Sequence, residues 1–213
     1  MAKNSTAPQF SKKEAIKFGF DLAKKNLPFF IGVLIIVAVF SILSSSLRSM
    51  VNPQKETLLY LVLYFALFVI NLVLGIGLTK IALEFIDSRK PKFSDLVYYK
   101  PAIKYFSASI LQGIIAVIGF ILLIIPGIIF SIRLSYVNYL IVDKNLGPVE
   151  AIKKSWNMTR GNTWNLFFFG ILVGLINILG FICLIIGLFV TVPLTMLASV
   201  YVYRKLLLQS EAA

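Results

Sequence analysis

GFILLIIPGIIFSIRLSYVNYLIVDKN, residues 119–145, decides the fold. It is too apolar for water and too long for one bilayer crossing, and it holds Pro126-Gly127 and Arg133 where an ordinary span has neither. A crossing helix takes about 20 apolar residues. The stretch therefore reads as the end of one span, a reversal at Pro126-Gly127, and a shorter second span that carries an arginine. Proline lacks an amide hydrogen and glycine tolerates positive φ, so the pair turns the chain while exposing little polar backbone.

The rest of the chain agrees with a lipid solvent. Of its 213 residues, 59% are hydrophobic and 14% charged, against roughly 45–50% and about 25% in soluble domains. Apolar runs at 27–47, 57–83, 105–125, 128–142, 163–186 and 188–207 give six expected spans. Lysine and arginine alternate between them. Lys3, Lys12, Lys13, Lys17, Lys24 and Lys25 precede the first span, and only Arg48 and Lys55 follow it. Arg89, Lys90, Lys92, Lys100 and Lys104 lie between spans two and three. Lys144, Lys153, Lys154 and Arg160 lie between four and five, while the three–four and five–six connections have none. Arg204 and Lys205 close the last span. Under the positive-inside rule this predicts a multi-pass protein with both termini in the cytoplasm. The net charge of +12 is spread between the spans, which points to topology and anionic phospholipid and away from nucleic acid. Ser44–Ser46 near the end of the first run imitates a signal-peptide cleavage site, but the preceding polar stretch is long for one. The lone Cys183 lies in an apolar run and excludes a disulfide framework.

Two stretches repeat. SILQGIIAVIGFILLIIP (109–126) and GILVGLINILGFICLIIG (170–187) match at ten of 18 positions without a gap, including Gly113 with Gly174 and Gly119-Phe120 with Gly180-Phe181. EAIKFGFDLAKKN (14–26) and EAIKKSWNMTRGN (150–162) share a pattern of faces. In the later copy Ala151, Ile152, Ser155, Trp156, Met158 and Thr159 oppose Glu150, Lys153, Lys154, Asn157 and Arg160. Both read as amphipathic helices lying in the cytoplasmic headgroup plane, with Lys153, Lys154, Trp156 and Arg160 as interfacial residues. FSDLVYYKPAIKYF (93–106) is a looser third copy, with Ser94 as its expected N-cap. The expected fold is all-α: one integral membrane domain over 1–213, six transmembrane helices arranged as three hairpins, in repeat units 13–84, 93–142 and 149–208. Plain duplication of a stable hairpin explains the repeat as readily as a transporter architecture does.

A central arginine costs a span roughly 2.5–3.5 kcal/mol, nearly all that its aliphatic neighbours return. Arg133 must therefore find partners. Carbonyls near Pro126-Gly127, Asn71, Asn177 or a lipid phosphate are the candidates. Two roles stay open: an intramembrane anion or lipid-phosphate site at Arg133, Asn71 and Asn177, or a buried structural fastener. The small-residue pairs Ser109/Gly113 and Gly170/Gly174 suit close helix packing, within the chain or in a homo-oligomer. Trp164, Tyr98 and Tyr99 fall where an aromatic belt belongs. Lys80 and Glu84 read as a surface pair.

Chemistry leaves few openings. No histidine is present and only nine carboxylates are. Asp87, Asp95 and Asp143 read as isolated loop residues, and no phosphate-binding glycine loop or zinc-protease motif occurs. No catalytic residue, metal or cofactor is expected.

Pro126-Gly127-Ile128, Arg133, Tyr136, Tyr139, Val142-Asp143, Glu150-Ala151, Ser155-Trp156 and Thr159-Arg160-Gly161 carry a resemblance, joined loosely by FSDL at 93–96 and by Gly75 and Gly77. Over this region the chain resembles poorly characterised prokaryotic integral membrane proteins, among them the membrane domain fused to some glycerophosphodiester phosphodiesterases. The resemblance implies a cell-membrane protein linked to lipid metabolism or export. No phosphodiesterase domain accompanies these residues, so that activity does not follow. The expected function is a non-enzymatic scaffold or lipid-interacting accessory of the cytoplasmic membrane, working with anionic lipid and a membrane protein partner. The alternative is a small transporter for an anionic or lipid-like solute, with Arg133 selecting the charge.

Overall fold

The computed structural model describes residues 10–52, 54–183 and 187–212, so Lys3 and the last three residues of the 163–186 run lie outside it. The described residues form helices joined by short turns, with no strand among them. In chain order these are α1 (Lys12–Lys25), α2 (Leu27–Met50), α3 (Thr57–Ile86), a short 3-10 helix (Phe93–Val97), α4 (Ala102–Leu122) and α5 (Ile124–Leu134). They continue with α6 (Val137–Lys144), α7 (Pro148–Met158), α8 (Thr163–Ile182) and α9 (Leu188–Glu211).

Five segments are long and apolar enough to cross a membrane: α2, α3, α4, the α5–α6 stretch taken as Ile124–Lys144, and α8. The expected sixth, 188–207, is α9. Thr191, Pro193, Thr195, Ser199, Arg204 and Lys205 dilute its apolar character, and it is the helix that the others enclose. Leu194, Leu197, Ala198, Val200, Val202, Tyr203, Leu206 and Leu207 are all buried, and α1, α8, α3, α2 and α7 pack against it. A helix surrounded by protein does not need the uniform apolarity that contact with lipid demands.

The chain closes on this hub through small residues. Ser11 caps α1, its hydroxyl accepting the Glu14 N–H at 3.2 Å. Ala15, Gly19 and Ala23 then form the buried face against α9. Gly19 lies on the Leu194 carbonyl and the Ala198 backbone, where a Cβ has no room. The opposite face of α1 exposes Lys13, Lys17, Asp21, Lys24 and Lys25. The helix thus packs on protein along one side rather than lying on a surface alone. α7 is alike: Ala151, Ser155 and Met158 are buried while Glu150, Lys153, Asn157 and Arg160 face outward.

One expected turn and one expected cap are placed differently. The chain reverses at Leu123, whose extended backbone (φ −170°, ψ 157°) separates α4 from α5. Pro126 and Gly127 sit inside the first turn of α5. A proline fits there because that turn has no N–H partner to lose. Gly127 lies against the Phe120 ring and Gly119, so its missing side chain admits the opposing helix. The matching Gly180 of α8 receives Gly187 and Thr191 in the same manner. In the 93–106 stretch Lys92, not Ser94, caps the 3-10 helix; the Asp95 carboxylate accepts the Lys92 N–H at 2.6 Å, and α4 begins after Pro101.

Asp95 also accepts from Lys80 Nζ at 2.7 Å, with Glu84 Oε1 3.6 Å from the same ammonium. Lys80 therefore ties α3 to the 3-10 helix, beyond its pairing with Glu84. Burial opposes ionisation of Asp95, but the hydrogen bonds from Lys80 and the Lys92 backbone outweigh it and hold the carboxyl below its ordinary value of 3.8. A depressed carboxyl stabilises the fold above its unfolded pKa, and the contribution disappears as pH falls through the folded value. Thermal unfolding in detergent should therefore show Asp95→Asn less stable than wild type at neutral pH. The gap should close below about pH 3.8; a gap constant with pH contradicts the assignment.

Candidate functional site: a cationic cleft beside α5 and α8

The α5–α6 stretch breaks at Ser135–Tyr136. A continuous helix would satisfy the Arg133 carbonyl from its own next turn; here the Ser155 hydroxyl of α7 donates to it at 2.7 Å. That bond fixes α7 against α5 and places Trp156 beneath the Arg133 side chain. The guanidinium carbon lies 4.6 Å from the indole centroid, and Phe130 packs on the same ring at 5.4 Å. A cation over an indole gains roughly 0.5–2 kcal/mol. Stacking leaves the edge of the guanidinium, with its N–H donors, unused. Among the described residues no carboxylate pairs with Arg133, and its Nε is buried without a hydrogen-bond partner.

Arg133 opens onto a cleft of about 490 Å³ whose walls are Ile125, Ile128, Ile129, Ile132 and Phe167, with Gly161, Thr163 and Trp164 at the start of α8. Gly161 (φ +85°) turns the chain from α7 into α8, a conformation that favours glycine. Trp164 is 68% exposed, so the cleft is open at its side. On the other face of Ile132 a second groove of about 350 Å³ carries the hydroxyls of Ser131, Ser135, Tyr136, Tyr139 and Ser199. Arg133→Ala should lose the indole contact and lower stability by about 1 kcal/mol, whereas Arg133→Lys should keep most of it; chemical or thermal unfolding of purified protein reads the difference.

The other residues singled out in the sequence do not gather here. Asn71 donates to the Leu67 carbonyl of its own helix at 2.8 Å and lines a separate groove with Tyr105 and Ser109. Asn177 pairs with Thr195 across α8 and α9 at 3.2 Å. Arg133, Asn71 and Asn177 therefore form three places, not one site. Lys153 and Arg160 are exposed, Lys154 reaches Glu211 at 3.3 Å, and only Trp156 of that set touches Arg133. Ser109 bonds back to Tyr105, and Gly113, Gly170 and Gly174 face open space, so these small pairs make no close helix contact within the described chain. The close contacts belong to Gly19, Gly77, Gly119 and Gly180 instead.

A charged cluster escaped the sequence reading. Arg204 of α9 grips both oxygens of Asp143 at 2.7 and 2.8 Å and reaches Asp87 at 2.8 Å. Tyr203 donates to Asp143 at 2.7 Å and stacks on Tyr139 at 5.5 Å. Asp87 and Asp143, expected to be isolated, share one guanidinium. The signal available was indirect: an arginine next to the buried end of the last helix, with acids closing α3 and α6.

The fold and cleft define an all-helical protein with five membrane-length apolar segments and an unpaired arginine in an apolar recess. The chain belongs to the family described as a domain of unknown function (DUF7847), whose model matches residues 20–210. An uncharacterised protein of Mycobacterium bovis is 26% identical over 173 residues, covering 76% of this chain and 50% of its own length. An uncharacterised protein of Mycobacterium tuberculosis matches over the same share of each chain at the same identity. The chain thus spans about half the length of the curated relatives it matches. No solved structure matches. None of these comparisons links the chain to the phosphodiesterase-fused membrane domain expected from residues 126–164.

Proposed function

We propose that this is a non-enzymatic lipid-interacting protein of the prokaryotic cytoplasmic membrane, and that it holds the phosphate of an anionic phospholipid at Arg133. One observation carries the reading: a guanidinium with no carboxylate partner lines an otherwise apolar, laterally open cleft. Such a cation asks for an anion, and the aliphatic walls ask for hydrocarbon. The depth is suitable. Thr163 and Trp164 begin a spanning helix, and the first turn of such a helix belongs at the headgroup level, where Trp is also favoured. Arg133 lies beside them, so in this placement it avoids the cost of the hydrocarbon centre.

In the same reading α9 completes six passes, the α4–α5 and α8–α9 pairs are membrane hairpins from a duplicated unit, and the outward lysines of α1 and α7 lie at the anionic inner leaflet with both termini inside. Cysteine labelling in a Cys183→Ser background tests that topology; periplasmic labelling at either terminus would contradict it. The ligand is tested by extracting phospholipid from purified protein. Wild type should retain about one anionic phospholipid per chain and Arg133→Gln should retain several-fold less. Equal retention in the two proteins removes Arg133 from the account.

A further inference from the structure

We infer that the cleft selects a membrane lipid ending in a phosphomonoester over lipids whose phosphate is a diester; this rests on the lipid-phosphate reading above and deepens it. The second half of the site is the N-terminus of α8, a 20-residue helix. Asn162 occupies the N-cap position, where its side chain ordinarily accepts an N–H of the first turn, yet it makes no capping bond and is only 3% exposed. The backbone N–H groups of Thr163 and Trp164 consequently have no partner among the described residues. They lie at the positive end of the helix, on residues that line the same cleft as Arg133. Nothing stands within 4 Å of the Cβ position at Gly161, so the turn into α8 is uncrowded.

The donor set determines the class of ligand. Arg133 supplies a planar fork, Thr163 a hydroxyl, and α8 two amides, while no carboxylate lines the cleft to receive an ammonium headgroup. A diester phosphate offers two unesterified oxygens and one charge. A monoester offers three oxygens and about −1.5 to −2 charges at neutral pH. Only the monoester matches this many convergent donors with a charge that both guanidinium and helix end reward. The isoleucine wall and Phe167 then take the first part of an acyl chain.

The chain carries its own reporter. Its two tryptophans, Trp156 and Trp164, stack under Arg133 and line the cleft, respectively. The full chain is reconstituted into phosphatidylcholine vesicles containing phosphatidate, phosphatidylglycerol or phosphatidylcholine with brominated acyl chains, and tryptophan quenching is recorded. Phosphatidate should quench half-maximally at a mole fraction roughly five-fold below phosphatidylglycerol, with phosphatidylcholine as the baseline. That advantage should shrink below about pH 6, where the second phosphate proton returns. Arg133→Gln should bring both anionic lipids to the baseline. Thr163→Val and Arg133→Lys, which spare the fold's packing, should each narrow the phosphatidate advantage.

Equal quenching by phosphatidate and phosphatidylglycerol, both above the baseline and both Arg133-dependent, overturns the monoester assignment and leaves the lipid-phosphate reading standing. Quenching that is the same for all three lipids overturns both. Relief of quenching by inorganic phosphate as effective as phosphatidate itself shows that a soluble anion, not a lipid, is the ligand.

Discussion

Arg204→Ala should destabilise the protein by about 3 kcal/mol or more, because breaking a partly buried ion pair leaves uncompensated carboxylates behind. The side chains of Arg204 and Asp143 are only 21% and 12% exposed, so water replaces the lost partner only in part. The effect reaches beyond one pair. Asp87 follows α3 and Asp143 belongs to α6, so removing the guanidinium of α9 unties three helices at once and strands Tyr203 on an unpaired carboxylate. Asp143→Asn should cost a comparable amount. The double variant Arg204→Ala, Asp143→Asn should cost less than the sum of the singles by at least about 1 kcal/mol, as coupled neighbours do. Unfolding of detergent-purified protein measures all three. A loss within about 0.5 kcal/mol for Arg204→Ala, the size of an ordinary surface change, would show that the cluster is solvated and not a fastener.

Gly19→Val should be nearly as damaging, and the reason is geometric. The Cβ position at Gly19 overlaps the Leu194 carbonyl and the Ala198 backbone, so the obstruction is main chain and cannot swing aside. Either α1 lifts from α9 or α9 shifts within the core; overpacking of this kind costs about 1–3 kcal/mol, at times more. The surface uncovered would include Ala15 and Ala23, now fully buried. Gly113 and Gly170 provide the contrast, since nothing lies within 4 Å of their Cβ positions. Gly113→Ala should stabilise α4 slightly, by up to about 1 kcal/mol, through helix propensity alone. Limited proteolysis within 1–26 and thermal unfolding read both outcomes. An intact, wild-type-like Gly19→Val protein contradicts the α1–α9 packing.

The pair also shows what the sequence could convey. Apolar runs and the basic residues between them make the helices and most of their limits legible, because lipid imposes length and composition on each segment separately. Close packing is set by pairs of segments, and no single run reveals its partner. Gly113, Gly170 and Gly174 have the spacing of packing glycines and touch nothing, whereas Gly19, in the equally spaced series Ala15, Gly19 and Ala23, and Gly77 meet backbone. Pro126-Gly127 suggested a turn because both residues favour turns; one extended residue, Leu123, suffices, and the proline is absorbed at a helix start. For Arg133 transfer cost signals a need for partners without naming one, and the contact on hand is the face of Trp156, 23 residues away. The free amides of α8 leave no mark in the sequence, because only the fold shows that Asn162 makes no capping bond. Asp87 and Asp143 looked isolated because 56 residues separate them in sequence, and only the helix that contributes Arg204 brings them together.

The most direct measurement of lipid capture at Arg133 is native mass spectrometry of wild type and Arg133→Gln, purified from the same membranes in the same detergent. A lipid held by an ion pair in a low-dielectric recess should survive collisional activation that strips loosely associated lipid. Wild type is expected to keep a single adduct with the mass of an anionic phospholipid, and Arg133→Gln to fly as bare polypeptide at the same energy. Identical adduct distributions for the two proteins would contradict the account.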